Sequence, residues 1–590
     1  MDMLLRNVTM PELAEIYRRN RKRSPAPYLL DPKAVNRARN LARKNGQWED
    51  LTKNLDPTQD IPAIKRSAYR NFQRTGDREM PQAAAGRRRR ELGRAYLALW
   101  LNHPKADLDY LQDLLWAYCD QQTWVMAAHE ARHIDLGSAS LTASLAEILH
   151  VLGDRIEQEV VDRVSDEIDR RTFQVFSEYQ HLDGWETVRM NWNHVCNGEI
   201  IKAALYQVED PRHLARLTHA AIQNLTYALD GFASDGGCEE GPGYWGYGFG
   251  HYLYVAEALF LRTNGAIDLF EGERIDAICR YPLAAHIKGE LRSTFADSSH
   301  GHIPLQAALI INEHKQMPEL FELCSANKNR SLRPGGPHEL AMYRGQKQTG
   351  KPDTIDYFLP GLGQVKLRSN PGPQSLTLMA IAGHNGVPHN HNDIGSFILH
   401  RGDTLWLTDP GGPIYTRKTF GPNRYDIVFC NSRGHSVPVI NGQLQQPGAK
   451  FRGTIKVSGL NEQGFKTAIV DMTRAYPKGT VERLRRTFSL DPDTNRLTIT
   501  DVYAFTRRPK SVEEAFITFE NVRVAKGGRS VQIGPRGKGV SIRAVGMTGR
   551  FTVAALTEES GEGRTGKTIQ RITFTPRSLD REMILTFVVE

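Results

Sequence analysis

Cysteine is scarce and scattered in this chain. Six occur in 590 residues, at positions 119, 196, 238, 279, 324 and 430, with no Cys-x-x-Cys pair. That excludes a thiolate zinc site and a disulfide framework, and the six read as buried free thiols. No apolar run reaches the ~18 residues a membrane helix needs, so no membrane span is expected. The start, Met1 to Tyr17, lacks a charged segment followed by an apolar one, so no secretion signal is expected in the chain as it stands. The compartment stays open between the cytoplasm and an exported protein whose signal has been removed. Gly (51) and Pro (30) are ordinary in number, and low complexity is absent. The balance of charge is basic, at +9, which suits an anionic partner. The only dense basic run, Arg87 to Arg90, reads as the solvated start of a helix. It has no interleaved aromatics and no known module around it, so a nucleic-acid partner is not expected.

The chain changes character near residue 330. Before it, helical spacing dominates. Leu141, Leu145, Ile148, Leu149 and Leu152 form one stripe, and Ile156, Val160, Val164 and Ile168 form the next, with Asp154 as its expected cap. Asp210-Pro211 reads as an N-cap with proline at the first helical position. Further stripes lie at 91–102, 108–119, 250–263 and 303–312. After about 335 the period becomes two. Strands are expected at 375–382, in a hairpin over 397–407 turning at Gly402-Asp403, and at 453–460, 480–490, 496–505, 540–545, 550–556, 568–574 and 583–589. The expected organisation is a helical domain over 1–330, with an N-terminal helical extension, and an antiparallel β-sandwich over 331–590.

Three constellations can carry chemistry. The first is Asn191-Trp192-Asn193-His194-Val-Cys-Asn-Gly198-Glu199, two amides and an imidazole placed ahead of a helix expected to begin near Gly198. The second is Asp235-Gly-Gly-Cys-Glu239-Glu240-Gly-Pro-Gly-Tyr244-Trp245-Gly-Tyr247-Gly-Phe-Gly-His251. Its glycines permit close backbone approach, its aromatic rings offer faces to sugars, and its phenols can move protons. It lacks the Lys-Ser/Thr ending of a phosphate-binding loop. The third is His384-Asn-Gly-Val-Pro-His389-Asn390-His391-Asn392-Asp393-Ile-Gly-Ser-Phe, followed by Asp409 and His435. On an extended backbone His389 and His391 would face the same way. Two histidines with a carboxylate suit zinc. Ser298-Ser-His300-Gly-His302 is a rival His-x-His without a carboxylate and histidine downstream.

In this order the three elements resemble the heparinase II/III-like polysaccharide lyases. The His-Asn-His-Asn-Asp-x-Gly-Ser-Phe element is the most specific of them. The resemblance covers about 90–445 by motif. It implies an incomplete α/α toroid followed by an antiparallel β-sandwich. It assigns Asn193 as the carboxylate-binding amide, His194 as general base, Tyr244 as the acid/base tyrosine and His389 as a second active-site histidine. Tyr247 competes with Tyr244 for the tyrosine role, and His389 with the metal set. Trp192, Glu240, Trp245 and Tyr247 are assigned to substrate binding. His391, Asp409 and His435 match the ligands of one divalent, zinc-type metal with a mainly structural role.

The implied reaction is β-elimination at the 4-O-glycosidic bond of a uronate, leaving a 4,5-unsaturated end. Glycosaminoglycans are the first expected substrates and alginate-type chains the second. A glycoside hydrolase would want two separated carboxylates, and Glu239 and Glu240 are adjacent. A carbohydrate-binding protein would leave His194 and the metal set idle. Expected partners are an anionic polysaccharide or oligosaccharide and, as a homodimer, a second copy of the chain.

Overall fold

The computed structural model describes residues 8–590 apart from 56, 57, 59, 179–182 and 352. Residues 1–7, on which the secretion-signal reading partly rests, lie outside the described residues. The chain forms two compact units. One comprises Met1–Gly231, Trp245–Asp276 and Ile303–Thr349, the other Phe232–Tyr244, Ala277–His302 and Gly350–Glu590. The single cut expected near 330 thus gives way to an interleaved division. Polar anchors explain it. Asp235 accepts the N–H of Gly361 at 2.6 Å, and Lys366 donates to the carbonyls of Leu283 and His286 at 2.6 and 3.0 Å.

The first unit is helical: α1 (Met10–Arg19), α2 (Glu79–Trp100), α3 (Leu108–Cys119), α4 (Leu136–Leu152), α5 (Gln158–Ile168), α6 (Asn191–Gln207), α7 (Pro211–Leu229), α8 (Gly250–Thr263) and α9 (Leu305–Lys315). α6 is its core helix. It packs against α4, α7 and α8, and 14 of its 17 residues are buried. Asp210 caps α7, accepting the N–H of His213 at 2.7 Å. Asp154 does not cap α5, because Gly153–Arg155 forms a 3₁₀ turn and the helix opens at Gln158. The arginine run lies inside α2 rather than at its start. Four successive residues wrap around a helix, so Arg87 and Arg90 are exposed, Arg89 is half-buried and Arg88 is buried. Arg88 donates to the carbonyls of Pro62 and Ala117 at 2.9 and 3.1 Å. Among the described residues one stretch, Leu136–Arg155, is long and apolar enough to cross a membrane by length and composition. The apolar-run count missed it because Ser and Thr residues interrupt it, and 56% of it is buried inside the helical unit.

The second unit is mostly antiparallel sheet. β1 (Tyr357–Leu359), β2 (Gln364–Arg368), β3 (Leu376–Ile381), β4 (Phe397–Arg401) and β5 (Thr404–Leu407) form a meander in that order. After β6 (Val439–Ile440) come β7 (Thr454–Ser458), β8 (Lys466–Asp471), β9 (Arg483–Asp491), β10 (Arg496–Ala504), β11 (Val512–Thr518), β12 (Val522–Val524), β13 (Ser530–Ile533), β14 (Val540–Val545), β15 (Gly549–Leu556), β16 (Ile569–Pro576) and β17 (Glu582–Val589). An eight-stranded sheet runs β7-β8-β9-β10-β17-β14-β13-β12, and a four-stranded one β15-β16-β11-β6. Leu378 and Phe397 from the meander, Phe488 and Phe587 from the large sheet, and Phe516 and Phe574 from the small one share a single apolar core. Arg486 crosses that core fully buried, paired with Asp501 at 2.6 Å and Glu514 at 2.9 Å. All six cysteines are buried and free.

Candidate active site

Two glycines shape the approach to Tyr244. Gly236 and Gly241 have φ of +83° and +91°. A Cβ at Gly236 would lie 2.2 Å from the Ala277 carbonyl carbon, and one at Gly241 would lie 2.3 Å from Ser298 Oγ. Only glycine fits either place. The segment can therefore lie against residues 277–298 and present Tyr244 to the sheet unit.

Asp297 is the hub of that unit's polar site, and no spacing motif in the sequence marks it. It is buried and accepts from four donors. His389 Nδ1 and the Tyr415 hydroxyl lie 2.8 and 3.0 Å from Oδ2, while His391 Nε2 and Arg424 Nη2 each lie 2.9 Å from Oδ1. Burial opposes its charge, but the hydrogen bonds of the two histidines and the Arg424 cation hold its carboxyl well below the ordinary range. The Tyr415 hydroxyl meets that of Tyr244 at 2.5 Å. The Tyr244 ring stacks on His389 with centroids 4.2 Å apart. His389 Nε2 lies 3.6 Å from Glu240. The Arg564 guanidinium sits 4.1 Å over the Tyr415 ring. Burial first, then Tyr415, Asp297 and Glu240, push the Tyr244 phenol far above its usual range. It is therefore an acid that keeps its proton.

His389 and His391 do address one group, though not through an extended backbone. His389 has φ of +60°, as does Ala296 beside Asp297. Left-handed backbone at two non-glycine residues is the kind of local strain found at functional sites.

The expected metal set changes by one residue. His391 Nδ1 and Asp393 Oδ2 are buried without a hydrogen-bond partner. With His435 they offer three ligand atoms within 4.8 Å of one another. Two imidazoles and a carboxylate fit a zinc-type ion. Asp409, expected as the third ligand, instead accepts from His435 Nδ1 at 2.8 Å and from the Gly411 N–H at 3.0 Å. A carboxylate behind an imidazole is a common outer support of metal sites. His435 Nε2 faces the Phe429 carbonyl at 3.0 Å. Burial lowers the pKa of His435, but Asp409 outweighs it and raises it to about 9, so a metal there must displace a proton. A second group, Asp297, His391 and Cys430, shares His391. His300, from the rival pair, faces the Arg292 carbonyl at 3.1 Å, and neither it nor His302 belongs to a metal-type group among the described residues.

In the helical unit, α6 begins at Asn191, not near Gly198, so Asn193 and His194 lie inside its first turn. Asn193 is wholly buried, and its amide nitrogen sits 2.9 to 3.1 Å from the carbonyls of Glu186, Val188 and Asn224. Its Oδ1 accepts from Asn197 at 3.0 Å. That amide is committed to scaffold and cannot also serve a substrate carboxylate. Trp245 is corrected likewise: it is 0% exposed, packed on Phe249, and offers no face to a sugar. Trp192 is half-buried, edge-on to His129 and under Arg132. Tyr247 is exposed. His251, quoted in the sequence motif without a role, has Nδ1 2.5 Å from the buried Glu199. Burial, then the nearby His251, pull the pKa of His194 down to about 3.

A pH dependence of stability follows. An unfolded His194 titrates near 6.5, so between pH 6.5 and about 3 the unfolded chain binds a proton that the folded one refuses. Stability is full above that window and falls as pH drops through it, by about 1.4 kcal/mol per pH unit for this group. His286 and His400, each pulled to about 4 by burial and then by lysine charge, act in the same direction. Thermal melts from pH 7 to pH 4 should show the fall, and His194→Gln should make it shallower.

Comparison with known proteins adds the following. Residues 354–585 match the family described as heparinase II/III-like, C-terminal. The structure is similar to that of a heparinase III, at 13% identity and TM-score 0.60, covering 95% of this chain and 92% of that one. It is also similar to the heparan sulfate lyase HepC of Pedobacter heparinus, at 12% identity and TM-score 0.59, covering 98% of this chain and 87% of that one. No curated protein sequence matches significantly. The likeness shows the fold class expected from the sequence, a helical toroid followed by a β-sandwich.

Proposed function

We propose that this chain, which belongs to the heparinase II/III-like family through its domain at residues 354–585, is a polysaccharide lyase acting on uronate-containing anionic chains. The observation that carries the reading is the Tyr244–Tyr415–Asp297 row beside His389. It is a phenol that keeps its proton, stacked on an imidazole that two carboxylates, Asp297 and Glu240, flank.

The chemistry follows from those groups. β-Elimination breaks the C5–H and C4–O4 bonds and forms C4=C5. The C5 proton is weakly acidic, so charge building on the uronate carboxylate must meet a fixed donor. With Asn193 committed elsewhere, His389 takes that task. Asp297 takes its Nδ1–H, and as an imidazolium the ring would offer its Nε2–H, now 3.6 Å from Glu240, to the substrate carboxylate. Tyr244 gives its proton to the departing O4. Tyr415 can then turn its own O–H from Asp297 toward the new phenolate. Because the Tyr244 phenol resists ionisation, C5 deprotonation needs another group. His194, which the resemblance puts forward, is buried in α6 with its pKa pulled down to about 3, and is not assigned the step. Glycosaminoglycans are preferred to alginate as substrates, supported by the likeness to heparinase III and HepC. Incubation with a panel of uronate polysaccharides should raise ultraviolet absorbance as unsaturated ends appear. Saturated products carrying a new water oxygen would overturn the lyase reading in favour of hydrolysis.

A zinc-type ion, held by His391, His435 and Asp393 with Asp409 behind His435, would brace the loops that carry His389 and Tyr415. No step of the reaction passes through it. His391→Ala should lower metal content and melting temperature together, read by elemental analysis and a thermal melt. An unchanged metal content in a fully stable variant would count against this assignment.

A further inference from the structure

The basic run in α2 takes no part in the site above, yet one of its members is placed like a ligand-binding residue. Arg89 lines a cavity of about 350 Å³ that lies wholly within the helical unit, with Tyr69, Arg78, Tyr118 and Trp124 also on its walls. That volume falls in the ~300–1,000 Å³ range of small-ligand clefts. Arg88, next in the chain, turns away and spends its donors on carbonyls. Arg89 makes no hydrogen bond or ion pair with any described residue. Arg78 is held at the wall by a relay: the buried Asp135 accepts from His129 Nδ1 at 2.8 Å, which leaves His129 Nε2 to accept from Arg78 Nη2 at 3.2 Å. The nearby carboxylate of Glu130 is taken by Arg70 at 2.6 Å. Two cations thus face an aromatic-walled cavity. The cavity adjoins residues expected to touch sugar. His129 packs edge-on against Trp192, with centroids 4.7 Å apart, and the Arg89 charge is felt at Tyr247.

We propose that this cavity is a saccharide subsite in which Arg89 binds the carboxylate or sulfate of one acidic sugar unit and the aromatic walls take its apolar face. A guanidinium fork matches either anion in two-point contact, and an arginine with no hydrogen-bond or ion-pair partner among the described residues is the group such a substrate would neutralise. The proposal deepens the lyase reading and rests on it for the identity of the natural ligand.

The test is calorimetric titration of the full chain, in a Tyr244→Phe background so that the probes stay intact. The probes are an unsulfated heparosan tetrasaccharide, an N-sulfated counterpart and neutral chitotetraose. Arg89→Gln should weaken the N-sulfated probe, which carries both anions, at least 10-fold and leave the neutral one unchanged, and Arg89→Lys should recover part of the loss. Equal loss on both charged probes identifies the carboxylate they share, and loss confined to the N-sulfated probe identifies the sulfate. Failure of the parent to bind either charged probe, or equal binding by folded Arg89→Gln, overturns the subsite. With Tyr244 intact, Arg89→Gln should raise KM about 10-fold while kcat holds. Cleavage with no Arg89 effect sinks the subsite alone. Arg89-dependent binding without cleavage of any uronate polymer sinks the lyase reading alone.

Discussion

Tyr244→Phe is expected to lower turnover at least 100-fold on every substrate, since each elimination must protonate O4 and single acid–base groups contribute ~10²–10⁴-fold. The change deletes one oxygen. The ring keeps its stack on His389, and Tyr415 keeps Asp297 as its acceptor, so the fold should hold. The matching deletion at Tyr247, an exposed ring outside the Asp297 network, should cost less than tenfold. Steady-state rates of both variants, with melting curves to show folding, check the pair. The reverse pattern, Tyr247→Phe inactive and Tyr244→Phe active, would move the acid three residues along the chain.

Asp297→Asn should cost both stability and activity. Each carboxylate oxygen accepts two donors, His389 and Tyr415 on one side and His391 and Arg424 on the other. An amide puts N–H groups against one of those pairs and leaves the Arg424 cation without its counter-charge. Breaking a buried pair from one side typically costs ~3–5 kcal/mol. Thermal unfolding should fall accordingly, and residual turnover per folded molecule should fall at least tenfold as His389 loses its fixed orientation. A variant as stable and active as the parent would remove Asp297 from the centre of the site.

Much of this architecture was legible in the residues. Alternation located β3, β4, β5, β9, β10 and β17, because each of these strands packs one face on the shared core. β2 escaped notice although Gln364–Arg368 alternates, with Val365 and Leu367 on the core: its polar face, Lys366 and Arg368, finds its anchors only on a separate stretch of chain. The same limit hid Asp297 and Tyr415. They become a site only when separate stretches of chain meet, and neither stands at a telling interval from another titratable residue. Asn193 and Trp245 erred the other way. Their types suit ligand contact, but an amide among carbonyls and an indole among rings are also what a core helix and its neighbours need. Side-chain chemistry was readable from sequence, and burial was not.

The interleaving of the two units bears on how such a protein is inherited. The domain matched at 354–585 contains His389, His391, Tyr415 and Arg424, while the carboxylate that all four grip and the phenol beside them come from upstream. A gene fragment encoding the domain alone would leave two histidines and an arginine facing a gap where Asp297 belongs. Recombination could not graft this module onto a new partner without also carrying the stretches around 232–244 and 277–302. Working descendants should therefore keep both parts in a fixed order on one chain, changing their lengths while never trading one for another.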